Sequence, residues 1–176
     1  TIEVDHGVPC LAYSAKIERG RRFEPEKAIK LGIPVQLWKR LQNGEAVEWE
    51  GKRTIPAEVL GEKRRGIKVT YVTDTRPTDE LVEFVKGSDL LVCEGMYGST
   101  EDIQKAREKK HMIFAEAANI AKLGNAKEMW LTHYSPSMAQ PEQYLHEATQ
   151  IFTDSKAGYD LMGKTIAFEG DGEEKR

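Results

Sequence analysis

The alternation of short apolar runs with amphipathic segments between Ile67 and Phe168 restricts this chain more than any other feature. The run IKVTYVT ends at Asp74, and Pro77–Lys86 sets apolar residues at 81, 82, 84 and 85, the spacing of one helix face. DLLVCE then reads as a buried strand and Ser99–Lys110 as a polar helix opened by Ser99 and Thr100. Phe114–Leu123 places Ala117, Ala118, Ile120 and Ala121 on helical spacing. EMWLT follows as a strand, Pro141–Phe152 as a helix and GKTIAFE as a last strand. Such alternation requires a layered α/β fold, because parallel strands need crossover connections. Ligands in these folds gather beyond the carboxyl ends of the strands.

Ahead of this block, Thr1–Lys16 reads as extended, with a turn at Asp5-His6-Gly7. Between Ile17 and Gly66, Pro25–Leu31 and Leu37–Leu41 are short helices separated by glycines and prolines, a stretch expected to bury little apolar face. It far exceeds the usual connection of about 4–6 residues, so it reads as a functional excursion, with a small satellite subdomain as the bland alternative. Charge separates it further. Lys16–Lys68 carries a net +6, whereas the remainder carries −9 of the overall −3. A basic segment on an acidic body suits a polyanion at one place and cations at another.

With 176 residues, 39% of them apolar, the chain suits one domain with its own core. No apolar run approaches the ~18 residues of a membrane span, and Thr1–Gly20 has none of the parts of a signal peptide. Cys10 and Cys93 lie far apart without Cys-x-x-Cys spacing, which fits a reducing, cytoplasmic compartment and leaves Cys93 as a core thiol. The polar tail 169–176 is expected to fray.

Four titratable groups fall at strand ends or adjoining turns: Asp74 in VTDTRP, Glu94 in LVCEGMYG, His133 in WLTHYSP and His6 in VDHGVP. An Asp after a strand commonly caps the next helix, and that reading stays open for Asp74 taken alone. Two histidines and a carboxylate at one edge shift the balance toward a metal, because imidazole and carboxylate suit zinc and similar cations. His111 follows the basic run Lys105–Lys110 and precedes a helix, a place that favours anions or a simple capping role. His146 reads as a surface residue. There is no Walker loop, G-x-G-x-x-G or Ser-His-Asp order.

Taken in order, DHGVPCLAY, LGIP…LWKRLQNGE, TDTRP, CEGMYG, KHM, EAANIA and LTHYSP resemble the carboxyl-terminal half of ribonuclease Z, over roughly His6 to Phe168. That family comprises tRNA 3′-processing endonucleases of the metallo-β-lactamase fold. The resemblance implies an αββα sandwich, here only its carboxyl-terminal half as a single partial domain, with a protruding arm at 18–65. It implies a two-zinc site in which His6 binds one ion, Asp74 bridges both and His133 binds the other. His111 would contact the scissile phosphate or leaving group, and Glu94 matches an acidic residue of the neighbouring loop.

The arm would grip precursor tRNA, rather than DNA, through Arg21, Arg22, Lys27, Lys30, Lys39, Arg40, Lys63, Arg64 and Arg65, each contact adding salt sensitivity. A homodimer is implied as well.

The family's H-x-H-x-D-H motif, source of the other zinc ligands, is absent from this sequence. Three ligands are too few for two stable zinc sites, so a missing amino-terminal half is expected to complete them. A noncatalytic tRNA-binding fragment and a metallohydrolase of small phosphodiesters stay open as alternatives.

Overall fold

The computed structural model describes residues 1–169; the end of the polar tail, and with it most of the expected fraying, lies outside the described residues. Strands β1 (Ile2–Glu3) and β2 (Leu11–Ile17) lead into Glu18–Gly66, a compact unit of its own. That unit holds α1 (Pro25–Lys30), α2 (Val35–Gln42), β3 (Val47–Trp49) and β4 (Lys52–Thr54). The chain continues as β5 (Ile67–Val72), α3 (Asp79–Val85), β6 (Leu90–Glu94), α4 (Ile103–Lys109) and α5 (Phe114–Leu123). It closes with β7 (Met129–Thr132), α6 (Leu145–Thr149) and β8 (Ser155–Ala157).

The larger unit is one mixed six-stranded sheet in the order β1-β2-β5-β6-β7-β8, antiparallel as far as β5 and parallel from β5 to β8. Register places Val72, Cys93, Leu131 and Ala157 in one row and Tyr13, Tyr71, Val92 and Trp130 in the next, so the pleat sends the two rows to opposite faces. The first face is sealed. Val72, Leu91, Cys93, Met129 and Leu131 share a core with Leu81 and Val85 of α3, Phe114, Ala117 and Ala121 of α5, and Ala148 of α6. The small residues of α5 bring its axis close to the sheet.

The second face is bare at its β2–β5 end. Tyr13 is 52% exposed, Tyr71 48% and Ile17 58%. At the β7 end Trp130 is buried, and its indole N–H donates to Glu128 at 2.6 Å. Glu128 also accepts from Lys156 and Lys164. Burial pushes the Glu128 carboxyl up, but the bonds from Lys164, Trp130 and Lys156 outweigh it and hold the group at about 2.

Two expectations are corrected. The last strand is not GKTIAFE but the polar Ser155–Ala157, which reaches the free β7 edge first because it follows α6 directly; Gly163–Phe168 forms no strand. Pairing and position here override intrinsic strand preference. The basic stretch buries more than its broken pattern promised: Ala28, Ile33, Leu41, Val47 and Val59 form a core with Phe23, Leu37 and Trp38 against it. Its hairpin carries no strong sequence signal, because the two-residue turn is Glu50-Gly51, both at positive φ (50° and 74°), instead of the usual Asn-Gly or Asp-Gly. Smaller differences concern helix starts. Ser99–Lys110 and Pro141–Phe152 each open with a 3₁₀ turn, and α3 begins after Thr78, whose hydroxyl accepts from Leu81 N–H at 3.1 Å.

Candidate metal centre

Four of the five predicted site residues lie at strand ends or in the turns that follow strands, and His111 lies between two helices. Asp74 follows β5, Glu94 ends β6, and His133 follows β7, while His6 lies between β1 and β2 and His111 between α4 and α5. Asp74 (φ 48°) and His133 (φ 57°) adopt left-handed backbone conformations, while Lys110 (φ 56°), just before His111, does so as the C-cap of α4. Non-glycine residues seldom hold such angles unless the surroundings impose them, and functional sites are where they collect.

These turns bring the side chains together. Ligand atoms of His6, Asp74 and His111 lie within 4.8 Å of one another. His133 Nε2 is 2.8 Å from Asp74 Oδ1, and the His111 ring is flanked by those of His6 and His133 at 5.0 and 5.5 Å. Asp74 therefore faces all three imidazoles from partly exposed ground, whereas His146 stands apart on the surface, its Nδ1 near Gln143 O.

Glu94 differs from the others in being wholly buried at the end of a strand, not in a loop. Its Oε1 accepts from Thr75 N–H at 2.5 Å and faces His111 Nδ1 at 3.2 Å, while Oε2 accepts from Met112 N–H at 3.0 Å. A buried acceptor with two backbone donors is fully satisfied and points His111 toward the cluster. Gly95 follows because Phe114 crosses there; a Cβ at that position would meet the ring at 2.7 Å.

Neighbouring groups are held out of the chemistry. Burial pushes Tyr134 up to about 12, so its hydroxyl stays protonated and donates to Leu131 O and Gly158 O. Burial likewise raises the Cys93 thiol well above its ordinary value and leaves it inert. Beside His133 a cleft of about 470 Å³ opens between Thr132, Met138, Glu142 and Tyr159.

The donor set fits a borderline divalent cation: imidazole nitrogens and a carboxylate converge at one point, and the carboxylate reaches more than one imidazole. It amounts to less than two full coordination shells.

In the Glu18–Gly66 unit all nine expected RNA contacts except Arg64 are exposed. Lys27 pairs with Glu24 at 2.8 Å and Arg40 with Glu45 at 2.9 Å, surface pairs weak enough to yield to a phosphate. Arg64 instead donates to Gly20 O at 2.8 Å, tying the two ends of the unit.

Arg76, Glu116 and Lys110 escaped the sequence reading. Arg76 directly follows Asp74-Thr75, and Glu116 stands three residues after Ile113, whose N–H it accepts at 3.2 Å, the spacing of a capping residue. Those two spacings were the available signals.

The family model described as the beta-lactamase superfamily domain matches residues 6–134. Over 168 residues the chain is 50% identical to Ribonuclease Z of Clostridium acetobutylicum, covering 96% of this chain and 54% of that protein. Ribonuclease Z of Clostridium kluyveri is 49% identical over 168 residues, covering 96% and 55%. The solved structure of human tRNase Z, short form, overlaps 58% of this chain and 34% of its own at 25% identity and a TM-score of 0.46. The chain thus spans about half the length of the curated relatives it matches.

Proposed function

This chain belongs to the beta-lactamase superfamily, and from that premise we propose that it is the carboxyl-terminal part of a zinc-dependent endoribonuclease that removes 3′ trailers from precursor tRNA. One observation carries the reading: His6, Asp74 and His111 converge within 4.8 Å, with His133 on Asp74, in a chain half identical to proteins named Ribonuclease Z. His6, Asp74 and His133 would hold the metal. Zinc bound there supplies hydroxide near neutral pH and polarises phosphoryl oxygens.

The chain's own residues do the rest. His111, with Nδ1 set against Glu94, presents Nε2 to the leaving 3′ oxygen and donates its proton there, giving a tRNA with a 3′-hydroxyl and a trailer with a 5′-phosphate. Glu94 has no exposed surface and acts through His111, whose ring it orients. The arm at 18–65 grips the tRNA away from the cut, and the active species is a homodimer of the cytoplasm.

Coordination of two ions needs further ligands, which we assign to an amino-terminal half carrying H-x-H-x-D-H. The bare β2–β5 face, with Leu11, Tyr13, Ile17 and Tyr71 exposed, suits burial under that half.

The test is cleavage of a 3′-extended precursor tRNA by this chain combined with an amino-terminal half. Asp74→Ala and His133→Ala should each abolish cleavage by a factor of at least about 100 while salt-sensitive binding persists. Deleting Glu18–Arg65 should remove tRNA cleavage and spare a small phosphodiester. Binding without cleavage in every combination supports the noncatalytic fragment instead. Equal turnover of tRNA with and without the arm supports the small-substrate hydrolase.

A further inference from the structure

The segment from Lys110 to Ile113 is fastened at each residue. Lys110 C=O faces His6 Nδ1 at 3.0 Å, and His111 C=O accepts from Arg76. Met112 N–H donates to Glu94, and Ile113 N–H to Glu116. Because a carbonyl can only accept, His6 must carry its proton on Nδ1, which leaves the Nε2 lone pair as the atom available to a cation. That tautomer depends on Lys110 C=O staying in place. Lys110 itself closes α4 as a left-handed C-cap at φ 56°, its N–H donating to Arg107 O at 3.3 Å.

The restraint on the next carbonyl is a guanidinium held almost out of solvent. Arg76 and Glu116 side chains are 14% and 18% exposed and meet fork to fork, with one nitrogen shared between Glu116 Oε2 at 2.9 Å and His111 O. Serving three acceptors at fixed angles is a task for the planar arginine fork, not for the single nitrogen of lysine. The same residue's backbone N–H donates to Asp5 O at 2.9 Å, beside His6, and Lys110 Nζ reaches Asp5 Oδ1 at 2.7 Å. Three separated stretches of chain are thereby tied where the imidazoles meet.

We propose that Arg76, pinned by Glu116, is a positioning residue: it holds the Lys110–His111 stretch so that His6 is fixed in the Nδ1–H tautomer and His111 is set against Glu94. This rests on the reading of His6 and His111 as site groups, yet the tautomer follows from hydrogen bonding alone and is measurable without metal.

The experiment compares imidazole ¹H–¹⁵N correlation spectra of the metal-free 176-residue chain with those of R76M/E116L and R76K, followed by zinc affinity from competition with a chromophoric chelator. The double variant avoids stranding a buried charge. The parent should show His6 as a single Nδ1–H tautomer. R76M/E116L should show exchanging tautomers at His6 and about ten- to a hundredfold weaker zinc binding, with R76K between them. A single Nδ1–H tautomer and unchanged zinc affinity in R76M/E116L would overturn the proposal. If that variant lacks the parent's circular dichroism, R76K decides on the same readouts, an unaltered tautomer counting against. Absence of zinc binding by the parent would count against the metal-centre reading, and the tautomer ratio would still decide the role of Arg76.

Discussion

On one face of the six-stranded sheet Val72, Cys93 and Leu131 are sealed under α3, α5 and α6, while on the other Tyr13 and Tyr71, partners in register, stand half exposed. Both faces are built from the same strands with the same alternation of apolar side chains. What separates them is connectivity: the parallel crossovers supply a helical layer to one face, and among the described residues nothing after β5 returns to cover the β2–β5 end of the other. The exception is instructive. At β7 the outward Trp130 is buried beside a carboxylate clamped by two lysines. On the proposed reading, this partly bare face is where an amino-terminal half would pack.

The contrast can be broken from the sealed side first. Phe114→Ala removes the largest fully buried side chain and should cost about 3–5 kcal/mol in denaturant unfolding, since the surrounding alanines collapse poorly into the space. Next, Glu94→Ala strands Thr75 N–H and Met112 N–H in the interior and should cost about 2–4 kcal/mol. Glu94→Gln, which keeps one acceptor oxygen, should cost less.

Acid tests the protected corner of the bare face. With the Glu128 carboxyl at about 2 in the folded chain against an ordinary 4.5, its contribution is fully present above pH 4.5. It is lost as pH falls toward 2, a change on the order of 2–3 kcal/mol. Glu128→Gln should flatten that part of the stability profile. On the bare side itself, Tyr71→Ser and Ile17→Thr should change the stability of this chain by no more than about 0.5 kcal/mol. The same changes should weaken association with an amino-terminal half, read by sedimentation.

Most of the sheet was legible because apolar runs and helix-spaced segments alternate without ambiguity from Ile67 to Thr132. The site was legible for a related reason: Asp74, Glu94 and His133 terminate successive strands, and strand ends are where such folds place chemistry. What escaped was fixed by tertiary context. Ser155–Ala157 has no strand character of its own and is a strand only because β7 offers an edge. The core of the Glu18–Gly66 unit takes Val47 from a hairpin whose Glu-Gly turn pattern reading passes over. The burial of Glu94 and the Arg76–Glu116 fork depend on contacts between segments some 20 to 40 positions apart, which no local pattern carries.

Zinc stoichiometry tests the central claim most directly. Titrated alone, this chain should bind zinc weakly and leave precursor tRNA uncut; with an amino-terminal half carrying H-x-H-x-D-H it should take up two ions tightly and cleave. Tight binding of two zinc ions by the isolated chain, with cleavage unaided, would contradict the account.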